Sequence, residues 1–319
     1  MNGSSSRRAL IAGGLGTLLL GGLSIGRTQY PEERSNDRPV VTCTVGMIAD
    51  VARRIGGDSF SIGGLMGPGI DPHLYKPSAG DIVRLGNADR VLYGGLELEG
   101  RMTQTLQTIH ESGTVYTRAV SESIPVENRI EVSETAWDPH VWFDVSLWNI
   151  VAGAITEELE ALLPDEADAI STRSVEYRSR LDDLDAWVFD EITRVPEHLR
   201  VLVTAHDAFT YFGHRYGIEV MGLQGLSTAT EAGAGDVQSL SQLLADRKIP
   251  AIFVESSIPP ATIEAVQAAT KSRGWEVRIG GSLYSDAMGE TGTPEGSYIG
   301  MVRHNVSTIV EALAGRAST

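Results

Sequence analysis

Residues 165–193 read DEADAISTRSVEYRSRLDDLDAWVFDEIT. Ile170, Tyr177, Leu181, Leu184, Val188 and Ile192 recur at helical spacing, and Val175 and Trp187 widen the apolar stripe. Asp165, after Pro164, stands where a helix cap is expected, and the pattern stops before Pro196. At 1.5 Å per residue such a helix spans ~43 Å. A helix this long has to brace something. It is either the core helix of one large domain or a stiff spine between two lobes.

Strand-like and helix-like segments alternate on both sides of it. Before it, residues 40–45, 61–66, 90–93 and 114–117 read as strands, 50–55 as a helix, and 145–163 as the helix leading into the spine. After it, 200–204, 218–223, 251–255 and 276–279 read as strands, with helices at 235–246 and 260–273. Alternation of this kind predicts parallel sheets covered by helices. The expected fold class is α/β: two lobes with mainly parallel sheets bridged by one long rigid helix. The expected divisions are an export signal and tether at 1–38, a first lobe at 39–163, the linking helix at 164–195 and a second lobe at 196–319.

Composition narrows the function. The net charge of −16 excludes nucleic acid as the partner, because phosphate recognition needs clustered Lys and Arg. The single cysteine, Cys43, rules out a disulfide framework and a thiolate zinc site, so any metal here is held by nitrogen and oxygen. Arg7 and Arg8 precede an apolar run at 9–25, the pattern of a secretory signal. Ser6-Arg7-Arg8 also permits a twin-arginine reading, and retention as an anchor is the alternative to cleavage. Cys43 sits inside a strand-like segment and does not suit lipid attachment.

Seven histidines are present, and two close the same tripeptide: Asp71-Pro72-His73 and Asp138-Pro139-His140. Proline fixes the chain before each imidazole, and the Asp is placed to hydrogen-bond the far ring nitrogen. His73 follows the strand at 61–66 through a Gly-Pro-Gly loop. His206 follows the strand at 200–204, and Asp286 follows the strand at 276–279 and a Gly-Gly turn. Ligands of open α/β sheets bind beyond the carboxyl ends of the strands. Two donors from each lobe would therefore converge on the cleft between them. Three imidazoles and a carboxylate suit a four-coordinate zinc site and also manganese. His214 reads as part of the same helix as His206, two turns on. His110, His198 and His304 lack matching partners, and Glu255 reads as a buried hydrogen-bonding group.

Gly69-Ile70-Asp71-Pro72-His73-Leu74-Tyr75, Asp138-Pro139-His140-Val141-Trp142, Thr204-Ala205-His206-Asp207-Ala208-Phe209 and Leu283-Tyr284-Ser285-Asp286-Ala287 resemble the metal-binding motifs of the zinc/manganese solute-binding proteins of ABC importers, the TroA-like family (cluster A-I). The resemblance covers residues 40 to 315. It implies two four-stranded α/β lobes joined by one long helix, with ligands His73, His140, His206 and Asp286. It implies one divalent ion, Zn2+ or Mn2+, as cargo, and a cognate permease and its ATPase as partners. It also implies a monomer outside the cytoplasm and no enzymatic activity. Gram-positive members usually carry a lipobox cysteine after the signal, and none stands there. Manganese-specific members often have Glu at the third ligand; His206 favours zinc or mixed binding. Protonation of the three imidazoles near pH 6 is expected to weaken binding. The alternatives are an exported zinc hydrolase and a metal-binding adhesin or buffer.

Overall fold

A computed structural model describes residues 38–134, 136–229 and 232–315. The stretch read as export signal and tether lies outside the described residues except for Arg38. Four strands, β1 (Val40–Cys43), β2 (Ser61–Gly64), β3 (Arg90–Tyr93) and β4 (Tyr116–Ala119), form one parallel sheet in the order β2-β1-β3-β4. The helices α1 (Gly46–Gly56), α2 (Ala79–Gly86) and α3 (Thr103–Ser112) connect them. The fourth strand starts two residues later than its composition suggests. Gly113, at φ 65°, closes α3, and Ser112 and Thr114 pair their hydroxyls across that turn. A short antiparallel hairpin, β5 (Glu131–Ser133) and β6 (Ala136–Trp137), then leads to α4 (Val145–Leu162).

The long helix α5 runs from Ala167 to Thr193. Its start differs from expectation. Pro164–Glu166 form a separate turn of 3-10 helix, and no side chain caps α5; the Glu166 carboxylate instead takes the Ser59 hydroxyl. Ile170, Ser174, Tyr177, Leu181, Leu184, Val188 and Ile192 are buried along one stripe. Val175 is excluded from it, being 66% exposed. The stripe packs against α1 and α4 of the first half and against α6 and α9 of the second.

The second half carries β7 (Val201–His206), α6 (Thr210–Tyr216), β8 (Glu219–Gln224), α7 (Ala234–Arg247), β9 (Ala251–Glu255), α8 (Ala261–Ser272), β10 (Arg278–Leu283) and α9 (Tyr298–Leu313). Its strands form two parallel pairs, β7-β8 and β9-β10, instead of one continuous four-stranded ladder, with β7 lying beside β9. Gly280-Gly281 is no turn. It lies within β10 at an irregularity in register, where a Cβ on Gly280 would come 2.6 Å from Ala312 and one on Gly281 2.5 Å from Thr308. The glycines let α9 press directly onto the strand. No helix among the described residues is long and apolar enough to cross a membrane. The architecture is two α/β lobes with parallel sheets bridged by α5.

Removing a buried stripe residue leaves a cavity that helices on both sides line. Leu184→Ala should cost about 2–5 kcal/mol, and Val175→Ala should stay within about 0.5 kcal/mol; urea denaturation midpoints measure both.

Candidate metal centre

Each of the four predicted side chains arrives on a different piece of backbone. His73 lies in the loop after β2. There Gly69 adopts φ 69°, a left-handed turn that favours glycine, and Asp71 Oδ1 accepts the His73 N–H at 2.8 Å. His140 follows the β5-β6 hairpin, and Asp138 Oδ1 accepts both its N–H at 2.9 Å and its ring Nδ1 at 2.8 Å. His206 does not follow β7 but is its last residue. Glu255, the last residue of β9, takes the His206 N–H at 2.9 Å with one oxygen and ring Nδ1 at 2.6 Å with the other. Asp286 lies just beyond β10. His140, His206 and Asp286 are 0–1% exposed and His73 6%.

The structure brings all four together, one donor atom of each lying within 4.8 Å of the others. His73 Nε2 is 3.2 Å from His140 Nε2. The Asp286 oxygens are 3.3 Å from His206 Nε2, 3.4 Å from His140 Nε2 and 3.8 Å from His73 Nε2. A tetrahedral zinc site with ligand bonds of ~2.1 Å has donor–donor edges of ~3.4 Å. The observed separations bracket that length, so the residues fit a first-row divalent ion. Burial tells the same story. His206 Nε2 and both Asp286 oxygens are buried without a hydrogen-bond partner, despite their ion-pair proximity. Unpaired polar atoms are costly unless something else satisfies them.

The carboxylates behind the rings set the direction of each imidazole. With Nδ1–H given to Asp138 or Glu255, Nε2 of His140 or His206 is the nitrogen turned toward the cluster, and its lone pair is freed when that nitrogen loses its proton. Burial pulls the His140 pKa down, but Asp138 and Asp286 outweigh it and lift it to about 9. Burial also opposes charge on His206, yet Asp286 and Glu255 raise it well above the usual value. His73 differs: burial dominates and holds it down at about 4, only partly offset by Asp286. Burial disfavours a charged Asp286, but His206 and His140 keep its pKa well below the usual carboxylate range.

The motif expectation is met once of two times. Asp138 grips its histidine's ring; Asp71 grips only the backbone and gives its other oxygen to Thr228 at 2.5 Å. Glu255 takes the buried hydrogen-bonding role read for it. His214 lies in α6 while His206 ends β7, so the two do not share a helix. His110 bonds Thr117 and His304 faces the Ser282 carbonyl; neither joins the cluster. The sequence reading missed Thr228, as well as Tyr211, whose hydroxyl joins Ile130 N–H to the Asp138 carbonyl. It also missed the Trp142 indole bond to the Ser285 carbonyl at 3.0 Å. Lone hydroxyls carry no periodicity, though Trp142 stands two residues after His140 and was open to suspicion on position alone.

Carboxylates that orient metal-bound imidazoles typically contribute 10–100-fold to affinity. Glu255→Gln and Asp138→Asn should each weaken zinc binding by about that factor, read by competition with a chromophoric chelator. Unchanged affinity would show that the carboxylates do not set the rings.

The family described as ZnuA, zinc-uptake complex component A, periplasmic, matches residues 41–312. The chain is 51% identical over 280 residues to the zinc-binding protein TroA of Treponema pallidum (strain Nichols), covering 88% of this chain and 90% of that one. It is 50% identical over 274 residues to the manganese-binding lipoprotein MntA of Bacillus subtilis (strain 168), covering 86% and 89%. The solved structure of the periplasmic zinc binding protein TroA from Treponema pallidum superposes with a TM-score of 0.85, covering 87% of this chain and all of that one. A match this long, with relatives half identical over most of the fold, means that the chain belongs to the ZnuA family of zinc-uptake components.

Proposed function

We propose that this chain is the extracytoplasmic substrate-binding protein of a divalent-metal ABC importer, capturing one Zn2+ or Mn2+ ion. His73, His140, His206 and Asp286 are its ligands. The loaded protein hands the ion to a membrane permease driven by a cytoplasmic ATPase. The observation that carries this reading is the set of four buried donors whose separations fit the edges of a metal tetrahedron. Relatives half identical to the chain are named for zinc and for manganese, which supports either cargo. The lobes are taken as 39–163 and 196–319, with 164–195 linking them. The protein works as a monomer.

Four protein donors argue against the hydrolase alternative, because a catalytic zinc keeps a position open for water. An adhesin or metal buffer would share the site but lack a transport partner, so permease and ATPase genes beside this one separate those readings. Relatives named as lipoproteins support a position at the outer face of the membrane. Cys43 is not the lipid attachment point: it is fully buried in β1, between β2 and β3, and burial pushes its thiol up to about 12. Export through an N-terminal signal, of twin-arginine type or retained as an anchor, is the proposed route.

His140→Ala should lower zinc affinity by orders of magnitude while the far-ultraviolet circular dichroism stays unchanged. Unchanged affinity and stoichiometry would rule out this ligand set.

Metal and protons compete for the same nitrogens. His140 and His206, with raised pKa values, carry protons at pH 7 that the ion must displace, whereas His73, near 4, carries none. Affinity should therefore keep climbing from pH 6 towards about 9 rather than level off above pH 7. Calorimetry at pH 7 in buffers of different ionisation enthalpy should register proton release on zinc binding; a buffer-independent heat would contradict it.

A further inference from the structure

The two Asp-Pro-His tripeptides use their carboxylates differently, and the difference runs across the cleft. At 138–140 a single oxygen of Asp138 holds both the backbone N–H and the ring of His140. At 71–73 Asp71 holds only the His73 backbone N–H, and its second oxygen accepts the hydroxyl of Thr228, which is 157 residues away in the loop after β8. The rings of His140 and His206 are each clamped by a carboxylate of their own lobe. His73 has a carboxylate clamp only on its backbone, and that carboxylate is braced from the opposite lobe. His73 is also the most exposed of the four. Its loop meets the second lobe again at Gly69, where a Cβ would touch the Ser256 carbonyl.

We infer that Thr228 is a positioning residue for metal release, a cross-lobe latch that acts through Asp71 on His73. This rests on the metal-capture reading above. When the lobes part at this edge, Thr228 leaves Asp71 and the 67–75 loop loses its brace. His73 then leaves the ion first. His140, His206 and Asp286 remain, and an ion on three donors exchanges faster than one on four. The hydroxyl donates to a charged oxygen, so the latch is a charge-assisted bond and stronger than a neutral one. Thr228 is mostly buried, which keeps water from replacing it cheaply.

The test is stopped-flow removal of zinc from the loaded full chain by excess chelator. Thr228→Val, which keeps the shape and removes the hydroxyl, should speed dissociation about tenfold, the worth of one charge-assisted hydrogen bond. Association should hardly change, and Thr228→Ser should restore the slow rate. In a His73→Ala background Thr228→Val should add nothing, because the effect travels through that ligand. An unchanged rate in Thr228→Val, an equal acceleration in Thr228→Ser, or an additive effect in the His73→Ala background would each overturn the latch. So would a matching loss of thermal stability in the zinc-stripped Thr228→Val chain, which would assign Thr228 to the fold. Failure of the unaltered chain to take up zinc or manganese would instead overturn the metal-capture reading and the latch with it.

Discussion

A carboxylate taken out of water without hydrogen bonds is among the costliest things a fold can hold. Asp286 is in that position, 1% exposed, its oxygens without a hydrogen bond though 3.3–3.8 Å from three imidazole nitrogens. The neighbouring imidazoles offset the cost, and those imidazoles in turn need carboxylates behind them. Glu255 can reach His206 only because β9 lies beside β7, and Asp138 can reach His140 because proline fixes the turn between them. An aromatic layer seals the group: Trp142 stands edge-on to His140 at 5.3 Å, and Phe143 stacks on Phe209 at 4.1 Å between ring centres. The low dielectric this creates makes each charge count for more.

The cleft is thus assembled from both lobes and tied shut on its inner side. Trp142, on the first lobe, donates to the Ser285 carbonyl and accepts from the Tyr298 hydroxyl on its own carbonyl. Tyr216 bonds Asp185 of α5 while lying against Val145 N–H. With α5 packed on helices of both halves, wide opening would break many contacts at once. Elsewhere on the cleft the lobes meet where the Thr228 hydroxyl bonds Asp71 in the 67–75 loop.

Much of this could be read from the sequence. The buried stripe of α5 showed as a period of 3.6, and His73, His206 and Asp286 stood out because they combine ligand chemistry with a place after a strand. The repeated Asp-Pro-His exposed His73 and His140 directly. The misreadings share a cause, namely that tertiary contacts outrank local pattern. Val175 belongs to the stripe by type, but the packing leaves it 66% exposed. Gly280-Gly281 has turn composition, but α9 needs the space above a strand. Asp71 and Asp138 sit in identical tripeptides, and only the partner across the cleft separates their roles. The Thr228 hydroxyl could not have been found, since one threonine in a loop resembles any other until its neighbour is known.

The helix α9 begins with Tyr298 N–H bonded to Asp50 Oδ2 in α1, a contact spanning 248 positions of the chain. In a chain made first residues first, this tie between α1 and α9 can form only near the end. Until then Asp50 keeps only Arg54, one turn along α1, as its partner. Such distant closure slows folding, because loop entropy is paid before the contact rewards it. The first helix of the fold is thus tied down by the last, and the bond that joins them is among the late ones to form.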